Sequence, residues 1–419
     1  MVLNNYEFDD WFICYKKIMV PELIEYLSID TSLGKEKVAI PYLRGLLKKY
    51  GFRFHVEQYH LELGAHRANT LSDDNHGKVN IRAELNALSV TDRKVLFNSH
   101  IDVVPAEGEG QKLLSPWIDG NYIYGRGSCD TKGNLFLLLG ALEYLKHKKI
   151  NLQFKVLLDL VSEEEVGGNG TLSTILHGVC ADFVVVFEST DLAVHRGHRG
   201  CLTCKIDVVG KAVHMGSNSE GVSAITVAMK LIAGLKDLER EMISESYSDS
   251  AFSIWKRPVQ INVGKISGGE WPGSVPEKCS FTFNVGFLPA KSIESIEVLL
   301  IARMRSLLSE FPGAKVDFDF NVGLRNKAYV VSEEDFFIKA LDLSASEACG
   351  LTKKDRIFAW RASCDARHYA QEANIPTAIF GAGSLSDAHS ANEKIDIDQM
   401  RLGIKALAIF LSRSPADVC

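Results

Sequence analysis

The sequence lacks the marks of several protein classes. It has no stripe of Lys and Arg with interleaved aromatic residues, and its net charge is -6, so a nucleic-acid partner is not expected. No apolar run approaches the roughly 20 residues that a membrane span needs. The first residues, MVLNNYEFDDWF, are acidic where a signal peptide is basic. These absences predict a cytoplasmic protein that binds neither a membrane nor a nucleic acid.

Cysteine pairs are also scarce. The nine cysteines are odd in number and form no CxxC pair apart from the isolated CLTC of Cys201 to Cys204. This pattern suits a reducing compartment better than a disulfide framework. Because CLTC lies in an alternating strand pattern, we expect two half-buried thiols there and not a redox or zinc pair.

Length and periodicity predict two domains, one of them α/β. A chain of 419 residues is longer than one hydrophobic core usually supports. Its composition, 46% hydrophobic and 24% charged residues, is typical of globular proteins. In the first 195 and the last 90 residues, apolar strand-like runs such as FKVLLDL alternate with helical periodicity, as in Gly133 to Lys148. This alternation predicts a mostly parallel sheet with helices on both faces.

The order of predicted elements changes at about residues 198 to 323. A strand, a helix, two strands, a helix and a strand follow one another there. A βαββαβ string predicts a small open sheet with two helices on one face, as in ferredoxin-like folds. We therefore expect a catalytic domain made of residues 1–197 and 324–419, with a second domain, residues 198–323, inserted into it.

The stretch LVSEEEVGGNGT, Leu160 to Thr171, crowds three carboxylates at the end of an apolar strand. Like charges at the rim of a core repel one another and lose hydration, so a Lys, an Arg or a metal ion should compensate them. The alternative is a solvated acidic turn.

Other strand ends and loops of the large domain offer side chains that could complete a metal site. They are His100 and Asp102 in SHIDVVP, Asp130 in YGRGSCDTKG, Glu188 in FEST and His389 in GAGSLSDAHSANE. Each alone could be an ordinary polar residue. Imidazole and carboxylate groups without a thiolate fit Zn²⁺, Co²⁺ or Mn²⁺, and two such ions need a shared ligand.

These segments, with SEEEVGGNGT, GKAVHMG, GVSAI and SVPEKC, resemble the motifs of the dinuclear zinc amidohydrolases. That family includes acetylornithine deacetylase, succinyl-diaminopimelate desuccinylase, aminoacylase and glutamate carboxypeptidase. The resemblance runs in family order from about residue 95 to the end of the sequence. It implies two divalent ions per chain, zinc first with cobalt or manganese as alternatives. It also implies a homodimer formed through the inserted domain, which would serve as a lid.

The resemblance assigns a role to each candidate metal ligand. His100 and Glu188 would hold one ion, Glu165 and His389 the other, and Asp130 would bridge the two.

The resemblance also assigns the catalytic roles. Asp102 would orient His100 and fix its tautomer, while Glu164 would take a proton from the attacking water and pass it to the departing amine. His214 would donate to the oxyanion in the partner chain's site, unless it is a structural histidine. Glu163 is expected to be a solvated or structural acid.

Substrate contacts are less regular. Arg199 and Arg367 match positions that contact a carboxylate in the desuccinylase branch, whereas Gly273 and Gly286 stand where parts of the family have Asn and Arg. We expect an N-acyl amino acid or a related acylated amine as substrate, with acetylornithine-type deacetylation first. The alternatives are a short-peptide hydrolase of the same family and, from another class, a metal-binding dimer without catalysis.

Overall fold

The described part of the chain forms two large β-sheets and one small sheet of three strands. The structure, a computed structural model, describes residues 5–66, 68, 78–246, 249–350 and 357–414. In the first part the elements are α1 (Asn5–Leu27), α2 (Ile40–Lys49), β1 (Phe52–Gln58), β2 (Val79–Leu85), β3 (Lys94–His100), β4 (Trp117–Asp119), β5 (Tyr122–Tyr124), α3 (Lys132–Lys148), β6 (Lys155–Val161), α4 (Asn169–Leu176), β7 (Phe183–Phe187) and β8 (His195–His198).

The second half of the chain completes one sheet and forms the other. The middle part contains β9 (Gly200–Val209), α5 (Ala224–Ser246), β10 (Ile261–Gly268), β11 (Lys278–Phe287), α6 (Ile293–Leu308), β12 (Lys315–Asp319) and β13 (Arg325–Asn326). The last part contains β14 (Tyr329–Val330), α7 (Phe336–Ala348), β15 (Phe358–Trp360), α8 (Ala366–Gln371), β16 (Thr377–Phe380), β17 (Lys394–Asp396) and α9 (Ile397–Ser412).

The larger sheet has the order β1-β2-β6-β3-β7-β16-β8-β14, with β15 also paired to β8. Its centre, β6, β3, β7 and β16, is parallel, while β2 and β8 flank that centre antiparallel to it. Alternate residues of β7 enter different cores. Phe183 and Phe187 belong to the core that contains α1, α3, α7 and α9, and Val184 and Val186 to the core that contains α8. Helices therefore cover both faces, and the predicted fold class is confirmed.

The smaller sheet is antiparallel, in the order β10-β11-β9-β12, with β13 also paired to β9. Its apolar face packs against α5 and α6, where Leu235 and Leu300 join Ile206 and Phe281 in one core. The order of elements is the predicted βαββαβ string. The residue limits of the two domains stay a prediction.

The chain passes between the two sheets twice, through neighbouring strands. On leaving the larger sheet it runs from β8 into β9, and it returns from β13 into β14. The two passages pair antiparallel, because Asn326 lies opposite Cys201 in the smaller sheet and Tyr329 lies opposite His198 in the larger. Among the helices of the described ranges, none has the length and apolar character to cross a bilayer.

Candidate metal centre and active site

The candidate ligands converge because neighbouring parallel strands end at one edge of the larger sheet. His100 is the last residue of β3, the acidic residues 163–165 follow β6, and Glu188 follows β7 directly. His389 lies in the loop between β16 and β17, and Asp130 in the loop between β5 and α3. These residues come from five separate segments of sequence and meet at one place.

The Asp130 carboxylate faces two histidines. Its Oδ1 lies 3.1 Å from Nε2 of His100, and its Oδ2 lies 3.2 Å from Nε2 of His389. The same Nε2 of His389 also lies 3.0 and 3.2 Å from the two carboxylate oxygens of Glu165. One carboxylate between two imidazoles is the arrangement that a bridging ligand requires.

Two groups of potential ligand atoms share His100. In each group the atoms all lie within 4.8 Å of one another, and the groups are His100 with Asp130 and Glu165, and His100 with Glu164 and Glu188. Burial raises the pKa of Glu164 and of Glu188 well above the ordinary range, and neighbouring carboxylates add to both shifts. Within the described ranges, no Lys or Arg forms an ion pair with Glu164, Glu165 or Glu188. The donor set therefore fits divalent cations, which would compensate this buried negative charge.

Asp102 contacts His100 through its main-chain carbonyl. Nδ1 of His100 donates to the main-chain carbonyl of Asp102 at 2.8 Å, while the nearer Asp102 carboxylate oxygen is 3.9 Å away. The carbonyl thus fixes the tautomer and leaves Nε2 free to act as a ligand. The Asp102 carboxylate instead accepts the main-chain N–H groups of Glu164 at 3.2 Å and of Glu165 at 3.0 Å.

Glu163 is a structural acid and not a solvated one. Its side chain is 1% exposed and forms an ion pair with Lys78. Its φ of 67° lies in the left-handed region, and this turn separates Glu163 from the two residues that follow it. Of the three adjacent carboxylates, only Glu164 and Glu165 lie among the potential ligands.

The two predicted substrate arginines differ in their partners. Arg367 is buried and donates from Nη1 to the carbonyl of Cys364 and from Nη2 to the carbonyl of Gly167, both at 2.6 Å. Nη1 of Arg199 is buried without a hydrogen-bond partner in the described part of the chain. A Cβ built on Gly286 would lie 3.2 Å from Cδ and Nη1 of Arg199. The glycine therefore leaves room for this guanidinium.

The structure places His214 apart from the ligand cluster. It lies in the loop between β9 and α5, and it is exposed. Its Nδ1 accepts the N–H of Gly216 at 3.1 Å, and a β-bridge pairs it with Ser274. Among the described residues of its own chain, no metal-ligand candidate forms a hydrogen bond or ion pair with it.

Glu393 was missed from the sequence. It ends the segment AHSANE that contains His389, and its side chain is fully buried. It forms an ion pair with Arg126, which lies in the Asp130 loop. Burial raises the pKa of Glu393 to about 7, Asp130 adds to this shift, and Arg126 opposes it. In the sequence, the one sign of its importance is that it lies in the same motif as His389.

Fold and site together define a metal-dependent hydrolase. Residues 96–413 match the sequence profile of Peptidase family M20/M25/M40, and the chain belongs to this family. The predicted family and enzyme class are thereby confirmed, and divalent-metal dependence is a property of the family. The identity of the metal, the role of each site residue and the dimer remain predictions.

Individual relatives have different activities in their names. The chain is 28% identical over 342 residues to the N-formyl-4-amino-5-aminomethyl-2-methylpyrimidine deformylase of Halalkalibacterium halodurans, covering 76% of this chain and 78% of that protein. It is 25% identical over 320 residues to acetylornithine deacetylase of Aliivibrio fischeri, covering 76% and 79%. The crystal structure of a Staphylococcus aureus tripeptidase superposes with a TM-score of 0.72 at 20% identity, covering 94% and 97%, and shows the shared fold.

Proposed function

We propose that this chain hydrolyses the amide bond of an N-acyl amino acid or a related acylated amine, with the Glu164 carboxylate as general base. One observation carries the proposal. A carboxylate oxygen of Glu164 lies within 4.8 Å of potential ligand atoms of His100 and Glu188. The same His100 also faces the Asp130 carboxylate, whose other oxygen faces His389. A base next to a two-cation site is the arrangement that amide hydrolysis uses.

In the proposed centre, His100 and Glu188 hold one ion, Glu165 and His389 hold the other, and Asp130 lies between them. The Asp130 oxygens already face the two imidazoles separately, which supports this division. Zinc is the first choice, with cobalt or manganese as alternatives, because the donors are nitrogen and oxygen. Bound cations of this kind polarise an amide carbonyl and make water acidic near neutral pH.

Glu164 would handle the proton. Burial disfavours the ionised carboxylate, and neighbouring carboxylates disfavour it further, so the pKa of Glu164 is raised well above its ordinary value and the group is a better proton acceptor than a solvated glutamate. It would take a proton from the attacking water and return it to the departing amine. The hydrogen bonds from Glu164 and Glu165 to Asp102 hold the main chain at this point.

Arg199 would bind the anionic end of the substrate. Its buried Nη1 has no partner among the described residues, and a guanidinium in this condition favours a carboxylate. Burial lowers the pKa of Arg199, yet a guanidinium keeps its charge in proteins. Arg367 is the second candidate, but two of its nitrogens already donate to carbonyl groups.

The relatives support removal of an acyl group. The deformylase and the deacetylase to which the chain is similar are named for releasing a formyl and an acetyl group. We place deacylation first for this reason, and hydrolysis of short peptides second. We further propose that the chain forms a homodimer through the smaller sheet, with His214 of one chain serving the other chain's centre.

The test is a substrate panel. Metal-free protein is supplied with Zn²⁺, Co²⁺ or Mn²⁺ and assayed on N-formyl, N-acetyl and N-succinyl amino acids and amines, and on dipeptides and tripeptides. Release of the acyl group should exceed release of an amino acid, and the Glu164→Gln variant should show neither. Faster cleavage of peptides would select the second candidate. Hydrolysis of no substrate with any of the three ions would leave the non-catalytic dimer.

A further inference from the structure

We propose that Glu393 is a positioning residue that holds the Asp130 loop and the His389 loop in one fixed arrangement. This inference rests on the proposed two-metal centre. Glu393 lies outside both groups of potential ligand atoms. It therefore acts through the main chain of Asp130 and through the loop it shares with His389.

The Glu393 carboxylate accepts three N–H groups. Oε2 accepts from Nη1 of Arg126 at 2.6 Å, and Oε1 accepts from the main-chain N–H groups of Cys129 and Asp130, each at 3.2 Å. The side chains of Glu393 and Arg126 are 1% and 4% exposed. Burying an acid and a base is costly unless both are paired and hydrogen-bonded, so these contacts oppose any displacement of the Asp130 loop.

The same side chain joins two loops that are distant in sequence. Strands β5 and β17 pair antiparallel, with Tyr124 opposite Lys394. The Asp130 loop leaves the end of β5, and the His389 loop enters the start of β17, so both loops lie at one end of this ribbon. The main-chain carbonyl of Glu393 also accepts the N–H of Gly125 at 3.2 Å. Glu393 thus joins the Asp130 loop to the His389 loop by hydrogen bonds at the end of the β5–β17 pair.

Asp130 is the ligand for which such fastening matters most. Its two carboxylate oxygens face His100 and His389 separately, so a shift of its main chain changes both proposed metal positions together. Residues that hydrogen-bond to a metal ligand commonly contribute about 10- to 100-fold to metal affinity. A glutamine at 393 would direct its NH₂ group at Arg126 or at the two main-chain N–H groups, and either choice leaves a buried donor unpaired.

Glu239 provides a matched control for a merely structural buried acid. Its Oε1 accepts the main-chain N–H of Ile261 at 2.9 Å, and its Oε2 pairs with Nη2 of Arg257 at 3.0 Å. Its side chain is 5% exposed. The chemistry resembles that of Glu393, but Glu239 lies on α5, beside the smaller sheet and away from the ligand loops.

The experiment measures zinc affinity in metal-free protein by titration against a competing chelator dye. Glu393→Gln should weaken zinc binding by about 10- to 100-fold at both equivalents, because Asp130 faces both histidines. Glu239→Gln should bind zinc as the wild type does, although both variants should lower the melting temperature of the metal-free protein. Equal weakening in the two variants, or weakening of only one zinc equivalent in Glu393→Gln, would overturn the role.

A second variant covers failure of Glu393→Gln to fold. Arg126→Met leaves the buried Glu393 carboxylate without its ion-pair partner, so this carboxylate should no longer hold the Asp130 loop in place, and zinc binding should weaken. In the double variant the losses should not add, because both residues act on one loop. His100→Ala is the reference for metal loss. Wild-type zinc affinity in Arg126→Met, with zinc lost in His100→Ala, would overturn the role of Glu393 alone. Full zinc binding by His100→Ala would overturn the proposed centre and this role with it.

Discussion

The carboxylate of Asp102 accepts the main-chain N–H of Glu165 at 3.0 Å, so an aspartate next to one candidate ligand holds the main chain of another. Its second oxygen accepts the N–H of Glu164 at 3.2 Å. Ile101 alone separates Asp102 from His100, and the main-chain carbonyl of Asp102 accepts from Nδ1 of that histidine. Asp102 therefore acts on two of the three β-strand ends that supply candidate ligands, those of β3 and β6.

Asp102→Asn should lower zinc affinity or kcat/KM by about 10- to 100-fold, because an amide can accept only one of the two N–H groups. Asp92→Asn is the control, since Asp92 is an exposed aspartate paired with Lys155. Zinc titration and steady-state kinetics measure the two effects. A loss in Asp102→Asn no larger than in Asp92→Asn would show that the contact does not support the centre.

Glu164→Gln should keep two zinc ions per chain while activity falls by about 10²- to 10⁴-fold, the usual contribution of a general base. His100→Ala should lose metal, because His100 belongs to both groups of ligand atoms. Elemental analysis after gel filtration, with assays at saturating zinc, separates these outcomes. Equal metal loss in both variants would remove Glu164 from the role of base.

The sequence predicted the parts of the fold that periodicity encodes. The continuous apolar run of β7 is buried at every residue, as a central parallel strand should be. The pairing of Lys78 with Glu163 was not predicted, because 85 residues separate them and loop paths have no period. Glu393 contacts Asp130 across 263 residues. Only the folded structure shows that such a residue is buried between two loops.

Arg199→Ala should lower kcat/KM for acidic substrates by about tenfold to a thousandfold, the scale of a lost charge-assisted hydrogen bond, and should affect a neutral ester analogue far less. Arg367→Ala should affect acid and ester equally, because its Nη1 and Nη2 already hold the carbonyls of Cys364 and Gly167. Kinetics on a matched acid and ester pair test both. A selective loss in Arg367→Ala alone would exchange the two roles.

Mixing inactive variants tests the proposed sharing of His214. Glu164→Gln and His214→Ala chains are combined under conditions that allow subunits to exchange. Half of the dimers become mixed, and each mixed dimer has one site with an intact base and a wild-type His214 from across the interface. Activity should recover to roughly a quarter of the wild-type value. Absence of recovery after proven exchange, or a strictly monomeric protein at assay concentration, would contradict the shared site.

The buried His195 should make the metal-free protein sensitive to mild acid. Burial lowers its pKa to about 4, and Arg361 adds to this shift. In the unfolded chain this histidine takes up a proton near pH 6.5, so the free energy of unfolding falls as the pH drops below that value. By pH 5 this loss should reach about 2 kcal/mol.

Comparison with His195→Gln isolates this contribution. The difference in unfolding free energy between wild type and variant should change by about 2 kcal/mol between pH 8 and pH 5, because the variant lacks the titrating group. Urea unfolding in EDTA at several pH values measures it and keeps zinc binding out of the comparison. A difference that stays constant with pH would mean that His195 titrates in the folded protein as it does in the unfolded chain.

The double passage between the sheets makes the middle of the chain exchangeable as one piece. His198 and Tyr329 lie opposite each other in the larger sheet, and antiparallel partners are separated by about 5 Å. A turn of about two to five residues closes such a gap. Everything between these two residues could therefore be replaced by a hairpin without altering the strand register that aligns the ligands. Transplanting this segment between relatives would then change the surroundings of the substrate while leaving the metal-binding framework in place.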